Sequence, residues 1–301
     1  NGTNSSTVDG YYRSRIGNAD ARWETSVTSN FGIDGSFFNN RLEVILDVWR
    51  KDTKDLLFGV PIPDVIGTFA AATSVNIGKM RNQGIDIQVI TRGKIGGEVG
   101  YEANITASTL SNKIVYLAPN LTYLTSVNPG FRGINPIRNQ LGYSISAFYG
   151  YQTLGLFQSK AEVDAAPKQD GAAPGRFRFA DLNGDGKINP DDRTFLGSPV
   201  PKFTGGLNLR FTYKAFDVEM YGYTSIGNKI WNQSKWFTDF FPSFEGAAIS
   251  ERVKQSWSPE NTGATIPIFE RTSNFSTNSQ ANSYYVEDGS YFRMQNLSVG
   301  Y

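Results

Sequence analysis

The feature that most constrains this chain is a period-two alternation of apolar and polar residues, which recurs along most of its length. In residues 203–213, for example, Leu207 and Leu209 alternate with Asn208 and Arg210. Because successive side chains of a β-strand point to opposite sides, this alternation predicts a strand with one apolar face. The same pattern predicts seven strands, at residues 23–33, 42–49, 85–92, 99–107, 203–213, 216–220 and from about 291 to 301.

The connections between the predicted strands alternate between short and long. Tight turns are predicted at 38–41, 93–97 and 214–215, and long connections at about 55–80, 110–202 and 227–289. Outer-membrane barrels show this order, with short periplasmic turns and long extracellular loops. Strands of about 10–13 residues suit a tilted membrane span, and the polar Glu102, Asn104 and Arg210 suit a wet lumen. We therefore predict an all-β fold that forms part of a large antiparallel transmembrane β-barrel, with 110–202 as a long extracellular loop region.

Composition removes several kinds of chemistry. The 301 residues include no Cys and no His, which excludes zinc sites of the usual kind and Cys or His nucleophiles. A net charge of +1 gives no bulk attraction to nucleic acid. The opening NGTNSST has neither an initiating Met nor a signal peptide, so we expect a piece of a longer protein.

The segment DLNGDGKINPDD at 181–192 matches a calcium-binding loop. Such a loop takes oxygens from positions 1, 3, 5, 7, 9 and 12 and needs Gly at position 6, which is Gly186. The predicted ligands are Asp181, Asn183, Asp185, the backbone carbonyl of Lys187, Asn189 and Asp192. Asp in place of Glu at position 12 predicts weaker binding than in a cytosolic EF-hand, and the flanking residues do not resemble helices. A plain Asn/Asp/Gly-rich turn without metal is the alternative.

This spacing also bears on whether the chain is an enzyme. A pair of carboxylates can hydrolyse glycosides, but the Asp residues of 181–192 are spaced for coordination. We therefore expect Ca²⁺ to be a structural staple of the extracellular loop region, without a catalytic role.

Five aromatic residues of the long connections are candidates for contact with a ligand or with a protein that covers the barrel. Aromatic rings stack on sugars and pack against protein partners, and the alternative is packing within the loops. The candidates are Tyr149, Tyr151, Trp231, Trp236 and Phe237.

Eight short motifs follow one another along nearly the whole chain. They are ARWET at 21–25, NNRL at 39–42, NQGID at 82–86, FYGY at 148–151, DLNGDGKI at 181–188, GNKI at 227–230, WSPENT at 257–262 and DGSYFR at 288–293. Together these motifs resemble the C-terminal barrel portion of the SusC/RagA family of TonB-linked outer-membrane transporters.

The resemblance implies a plugged barrel of about 22 strands that imports oligosaccharides or peptides. It also implies energy from the TonB–ExbB–ExbD complex, a SusD-like lipoprotein lid on the extracellular face, and no enzymatic activity. No TonB box or plug domain occurs in the sequence, so residues 1–301 are expected to be an incomplete, C-terminal barrel segment. The rival interpretation is a soluble, calcium-stabilised extracellular β-module for binding or adhesion. Outward-facing apolar residues on the strands would favour the importer.

Overall fold

The computed structural model describes residues 14, 16–60, 73–119, 121–125, 133–241, 246 and 248–301. The NGTNSST opening lies outside them. The strands and α-helices in chain order are β1 (Thr25–Phe37), β2 (Leu42–Val60), β3 (Thr73–Ile95), β4 (Val99–Thr109), β5 (Ser111–Leu117), β6 (Tyr123–Thr125), β7 (Ile137–Gln140), β8 (Ala147–Tyr151), β9 (Thr153–Leu156), α1 (Lys160–Ala165), β10 (Phe177–Phe179), β11 (Arg193–Gly197), β12 (Phe203–Tyr213), β13 (Phe216–Ile226), β14 (Lys229–Trp231), α2 (Ser234–Thr238), β15 (Val286–Asp288) and β16 (Tyr291–Gly300). Short 3₁₀ helices occupy Pro190–Asp192, Glu251–Gln255 and Ser283–Tyr285. No helix in the described ranges is long and apolar enough to cross a membrane.

The larger of the two parts of the fold is an antiparallel sheet of eight strands, which we call the barrel sheet. Its strand order is β1-β2-β3-β4-β12-β13-β16, and β5 pairs with the far part of β3. Tight turns at 38–41, 96–98 and 214–215 lie at one end, the turn end, and the long connections leave from the other, the loop end. The predicted alternation of short and long connections is confirmed.

Residues with positive φ close these turns. Phe38, Asn39 and Asn40 all have φ between 54° and 64°, which Asn tolerates better than most residues. The second turn is formed by Gly96 and Gly97, also at positive φ, so it lies at 96–98 and is shorter than the predicted 93–97.

The two faces of the barrel sheet differ in polarity. One row of cross-strand neighbours runs over seven strands through Phe37, Leu42, Thr91, Ala103, Leu209, Met220 and Leu297. On this apolar face Phe211 is 41% and Val299 71% exposed, and Leu207 and Leu209 are half-buried. An exposed apolar band of this extent is what lipid requires. It contradicts the soluble-module alternative, in which these side chains would point into a closed core.

The opposite face carries a polar row through Arg92, Glu102, Arg210, Glu219 and Ser298. Its side chains bond to one another: the Gln88 amide donates to Asn104 at 3.0 Å, and the Asn208 amide donates to Glu219 at 3.2 Å. The prediction of inward-facing polar residues at Glu102, Asn104 and Arg210 therefore agrees with the strand register.

Two strands are much longer than predicted. β2 has 19 residues and β3 has 23, so the predicted connection at 55–80 is wrong for residues 55–60 and 73–80, and residues 61–72 lie outside the described ranges. Beyond Val48 the outer face becomes charged, with Arg50 and Arg81 both bonded to Asp52 at 2.7 Å. The alternation stops here because residues 50–55 of β2 and 81–84 of β3 include no apolar side chain, and this polar interruption hid both extensions in the sequence.

The second part of the fold, which we call the loop unit, comprises the described residues of 118–201 and 227–290. It contains a four-stranded sheet of order β11-β8-β7-β6 and the pairs β10-β9 and β14-β15. The predicted long loops are therefore a folded unit rather than irregular connections. A small cluster of Ile114, Leu117 and Leu124, with Phe58 and Ile77, seats this unit on the barrel sheet.

Both long connections contribute to a single aromatic core in the loop unit. Phe177 of the first connection packs against Phe240 and Tyr284 of the second, with ring centroids 6.3 and 5.0 Å apart. Buried Gln169 also joins them, since its amide donates to Ser276 Oγ at 2.7 Å and its carbonyl oxygen accepts from Phe179 N–H at 2.9 Å. The two connections therefore fold together.

Candidate functional site

The 181–192 loop lies between β10 and β11 on the surface of the loop unit. Residues 182–187 are exposed, whereas Ile188 enters the aromatic core and Asp192 is fully buried. Lys168 N–H donates to the Gly186 carbonyl and Ile188 N–H donates to the Lys168 carbonyl, both at 2.9 Å. The exposed tip is thus held at its base by apolar Ile188 and by buried, polar Asp192.

The tip has the turn geometry that the sequence predicts. The two carboxylate oxygens of Asp181 accept hydrogen bonds from Gly184 N–H at 2.7 Å and Gly186 N–H at 2.9 Å. Gly184 and Gly186 have φ of 75° and 78°, a conformation that favours glycine. Gly186 therefore makes the sharp turn expected at position 6.

Polar side chains at positions 3, 5 and 9 converge on one point. The amides of Asn183 and Asn189 both donate to Asp185 Oδ2, at 3.3 and 3.2 Å, and Asp185 Oδ1 accepts from Lys187 N–H at 2.8 Å. In the described part of the chain no three carboxylates gather as a metal site. Any cation here would rely on amide and carbonyl oxygens as well as on Asp181 and Asp185.

Asp192 differs from the other predicted ligands. Its carboxylate accepts Leu182 N–H at 2.9 Å and Asn189 N–H at 2.8 Å, which ties position 12 to positions 2 and 9. These bonds close the loop from inside the protein. Its role as a metal ligand stays a prediction.

The five predicted aromatic contact residues separate into buried and accessible ones. Tyr151 and Trp236 are 1% and 8% exposed and belong to the aromatic core, against which half-buried Trp231 packs with its ring 5.0 Å from that of Tyr285. The rings of these three residues pack within the loop unit, and their contact with a ligand or a covering protein stays a prediction. Phe237 is 51% exposed, and Tyr149 lies half-buried on the four-stranded sheet.

A buried polar network, which sequence reasoning missed, joins α2 to later segments of the loop unit. Asp239 is fully buried and accepts Arg252 Nε at 2.7 Å and Nη2 at 3.0 Å, together with the Tyr284 hydroxyl. Burial alone would raise the pKa of Asp239, but the hydrogen bonds from Arg252, Tyr284 and Thr238 outweigh it and lower that pKa. Burial, followed by the bond to Asp239, raises the pKa of the Tyr284 hydroxyl, which therefore stays protonated as a donor.

A lipid-facing strand surface, a polar opposite face and a folded unit at one end define the chain as a segment of a membrane-spanning β-barrel. Residues 1–301 match the family described as TonB dependent receptor-like, beta-barrel, and the chain belongs to that family. It is an outer-membrane protein, and its family consists of receptors rather than enzymes.

Relatives and solved structures agree with this membership. The chain is 32% identical to TonB-dependent receptor P3 of Formosa agariphila over 302 residues, which covers 98% of the chain and 28% of the relative. It is 24% identical to TonB-dependent receptor SusC of Bacteroides thetaiotaomicron, over 97% of the chain and 28% of SusC.

The fold is also that of a solved structure, the RagAB peptide transporter. The superposition has a TM-score of 0.74 at 21% identity and covers 97% of this chain and 31% of the other. The chain thus spans less than a third of the length of the relatives that it matches.

Proposed function

We propose that this chain forms part of an importer that carries oligosaccharides or peptides across the outer membrane. The observation that supports it best is the contrast between the two faces of the barrel sheet. The apolar row through Leu209 suits lipid, and the polar row through Arg210 suits a lumen that a hydrophilic solute can enter. The loop unit would then lie on the extracellular side, where it meets the solute first.

The proposal includes two partners. TonB–ExbB–ExbD would supply energy through parts of the receptor outside residues 1–301, and a SusD-like lipoprotein would cover the loop unit. Membership in the TonB-dependent family and the likeness to SusC support the first partner and suggest the second. Exposed Phe237 is a candidate contact for that lipoprotein.

Uptake by cells tests the import proposal. The complete receptor is expressed in a strain that lacks it, and uptake of fluorescent oligosaccharides and peptides is followed with and without TonB. We expect uptake of one ligand class that requires both the receptor and TonB. Uptake that continues without TonB, or that is absent for both ligand classes, would contradict the proposal.

We further propose that the 181–192 loop binds Ca²⁺ as a structural ion. Asp181, Asn183, Asp185, Asn189 and the Lys187 carbonyl would supply oxygens, a donor set that a hard cation prefers. The side-chain amides of Asn183 and Asn189 both lie beside Asp185, and turning them would present their oxygens to a cation bound there. The ion would stiffen the exposed tip, whose base Ile188 and Asp192 already hold.

Calcium titration of the complete receptor tests this second proposal. Ca²⁺ at ten times its Kd stabilises a site by about 1.4 kcal/mol, so the loop unit of the wild type should resist heat and protease better with calcium. The double variant Asp181→Asn/Asp185→Asn should lose this gain, whereas Asp191→Asn, a neighbouring exposed carboxylate outside the predicted ligands, should keep it. An equal gain in the double variant would refute the site.

A further inference from the structure

One face of the four-stranded sheet of the loop unit carries a continuous row of aromatic and arginine side chains. The Arg138 guanidinium lies 3.7 Å from the centre of the Tyr123 ring and 4.1 Å from that of Tyr149. Phe195 continues the row beside Tyr149, with ring centroids 5.2 Å apart. We call Tyr123, Arg138, Tyr149 and Phe195 the tyrosine–arginine row.

The strand register extends this row to a second arginine. Arg138 lies opposite Ala147, Tyr149 opposite Phe195, and Tyr151 opposite Arg193. Since residues two apart on β8 share a face, Tyr151 and Arg193 lie on the same face as the row, at its far end. The Arg193 guanidinium sits 5.3 Å from the centre of the Tyr151 ring.

A cavity of about 160 Å³ opens at that end of the row, lined by Tyr149, Tyr151, Arg193 and residues 133–135 and 279–281. It arises because β8 changes its hydrogen-bond partner. Tyr149 N–H donates to the Pro136 carbonyl at 2.7 Å, and Tyr151 N–H donates to the Ala281 carbonyl at 2.9 Å.

Gly150 allows the Ala281 carbonyl to approach β8 closely. A Cβ on this residue would lie 2.3 Å from the Ala281 carbonyl oxygen, so any larger side chain would push the 279–281 segment away. The shape of the cavity therefore depends on a specific backbone contact and is not a chance gap between loops.

The polar groups of the cavity are suited to an anion. Tyr151 is 1% exposed, yet its hydroxyl has no hydrogen-bond partner among the described residues. A buried hydroxyl without a partner is unfavourable, and a small rotation of the ring would bring it within reach of an acceptor in the cavity. Arg193 is the charged residue of the lining, and it forms no ion pair with any carboxylate in the described ranges.

We propose that this cavity binds a carboxylate group of the imported ligand, with the Arg193 guanidinium and the Tyr151 hydroxyl as donors. Arginine pairs with carboxylates through two parallel hydrogen bonds, and the tyrosine–arginine row offers ring faces to the part of the ligand outside the cavity. The proposal rests on the import function above. An acidic sugar and the C-terminus of a peptide present the same group.

Binding to the purified complete receptor tests the cavity apart from transport. The probes are trigalacturonic acid and its methyl ester, and a pentapeptide with a free and with an amidated C-terminus, each measured by calorimetry. We expect at least one acid to bind about tenfold more tightly than its neutral counterpart, the usual scale of a charged hydrogen bond. Preference for one acid would identify the source of the carboxylate.

Two substitutions assign this preference to the cavity. Arg193→Gln removes the charge, and Tyr151→Phe removes the hydroxyl while keeping the ring that packs 4.9 Å from Phe179. Both should reduce the acid-over-neutral ratio, whereas Lys160→Gln, on exposed α1 outside the cavity lining, should leave it unchanged.

Equal binding of acid and neutral probes, no binding of either acid, or a ratio unaffected by Arg193→Gln would each overturn the cavity proposal. These outcomes leave the import proposal standing if uptake still requires the receptor and TonB. If the receptor binds the acid but uptake does not depend on TonB, the import proposal is overturned and carboxylate binding by the cavity stands.

Discussion

The barrel sheet and the loop unit use aromatic residues in opposite ways. In the barrel sheet, rings such as Phe31 and Phe211 lie outside, 69% and 41% exposed, and in the loop unit Phe179 and Tyr285 are almost completely buried. The same residue type thus stabilises two different structures, because the sheet is surrounded by lipid and the loop unit by water. The surrounding solvent, more than the residue, decides whether an aromatic side chain faces outward.

The largest expected effect is local unfolding of the loop unit on loss of a core ring. Phe179→Ala should lower the free energy of unfolding of the loop unit by roughly 3–5 kcal/mol, as Phe-to-Ala changes in cores do. The reason is that Phe179 packs on Tyr151, Phe177 and Phe275. Hydrogen exchange should show faster exchange in the loop unit and an unchanged barrel sheet. Leu154→Ala removes a side chain of β9 that is 56% exposed and serves as the control. Equal protection in both variants would mean that the aromatic core does not hold the unit together.

The next largest effect is expected within the barrel sheet, where a new charge should be harmful on the apolar face and harmless on the polar face. Leu209→Arg places a charge on the apolar face and should destabilise the membrane-inserted barrel by roughly 2–4 kcal/mol. Asn208→Arg, one residue away on the polar face, should have little effect because it faces Tyr221 and Asn104 across the strands. Urea titration of the complete receptor in lipid vesicles gives both values. Similar losses for the two variants would contradict the assignment of the faces.

The smallest effect is a pH dependence confined to the loop unit. Folding lowers the pKa of Asp239 below its unfolded value of 3.8, so its contribution to stability is present above that value and is lost as the pH falls through the folded pKa. The loop unit should therefore melt at lower temperature as the pH drops below about 3.8, which near-UV circular dichroism can follow. Asp239→Asn should flatten this dependence, and an unchanged profile in that variant would assign it to other carboxylates.

The sequence predicts the barrel sheet much better than the loop unit. β12 was predicted at its observed bounds, because every residue between Phe203 and Tyr213 contributes to one alternation. The short strands β6 to β11 escaped prediction, since three to five residues cannot establish a period and their partners are distant in the chain. The extensions of β2 and β3 escaped it because residues 50–55 and 81–84 include no apolar side chain, which interrupts the alternation before the apolar residues of either extension.

The same reasoning explains the candidate sites. The turn at Gly186 follows from local spacing and could be predicted, and so could the closeness of Asp181 to that glycine. The burial of Tyr151 and Trp236 could not, because it depends on the packing of two connections separated by β12 and β13. Arg138 and Arg193 were missed for that reason too: only the register of the four-stranded sheet brings them to the tyrosine–arginine row.

The position of the loop unit between neighbouring strands has a consequence for how such receptors diversify. β4 and β12 are adjacent, and Leu110 N–H donates to the Lys202 carbonyl at 3.0 Å. The connection between them, of more than ninety residues, therefore leaves and re-enters the barrel sheet at one point. Such an insertion leaves β4 and β12 paired in register. Because its core is shared with 227–290, a transplant that carries one connection alone should fail. Residues 110–202 and 227–290 should therefore be inherited together, and a recombination event that retains ligand preference should transfer both segments.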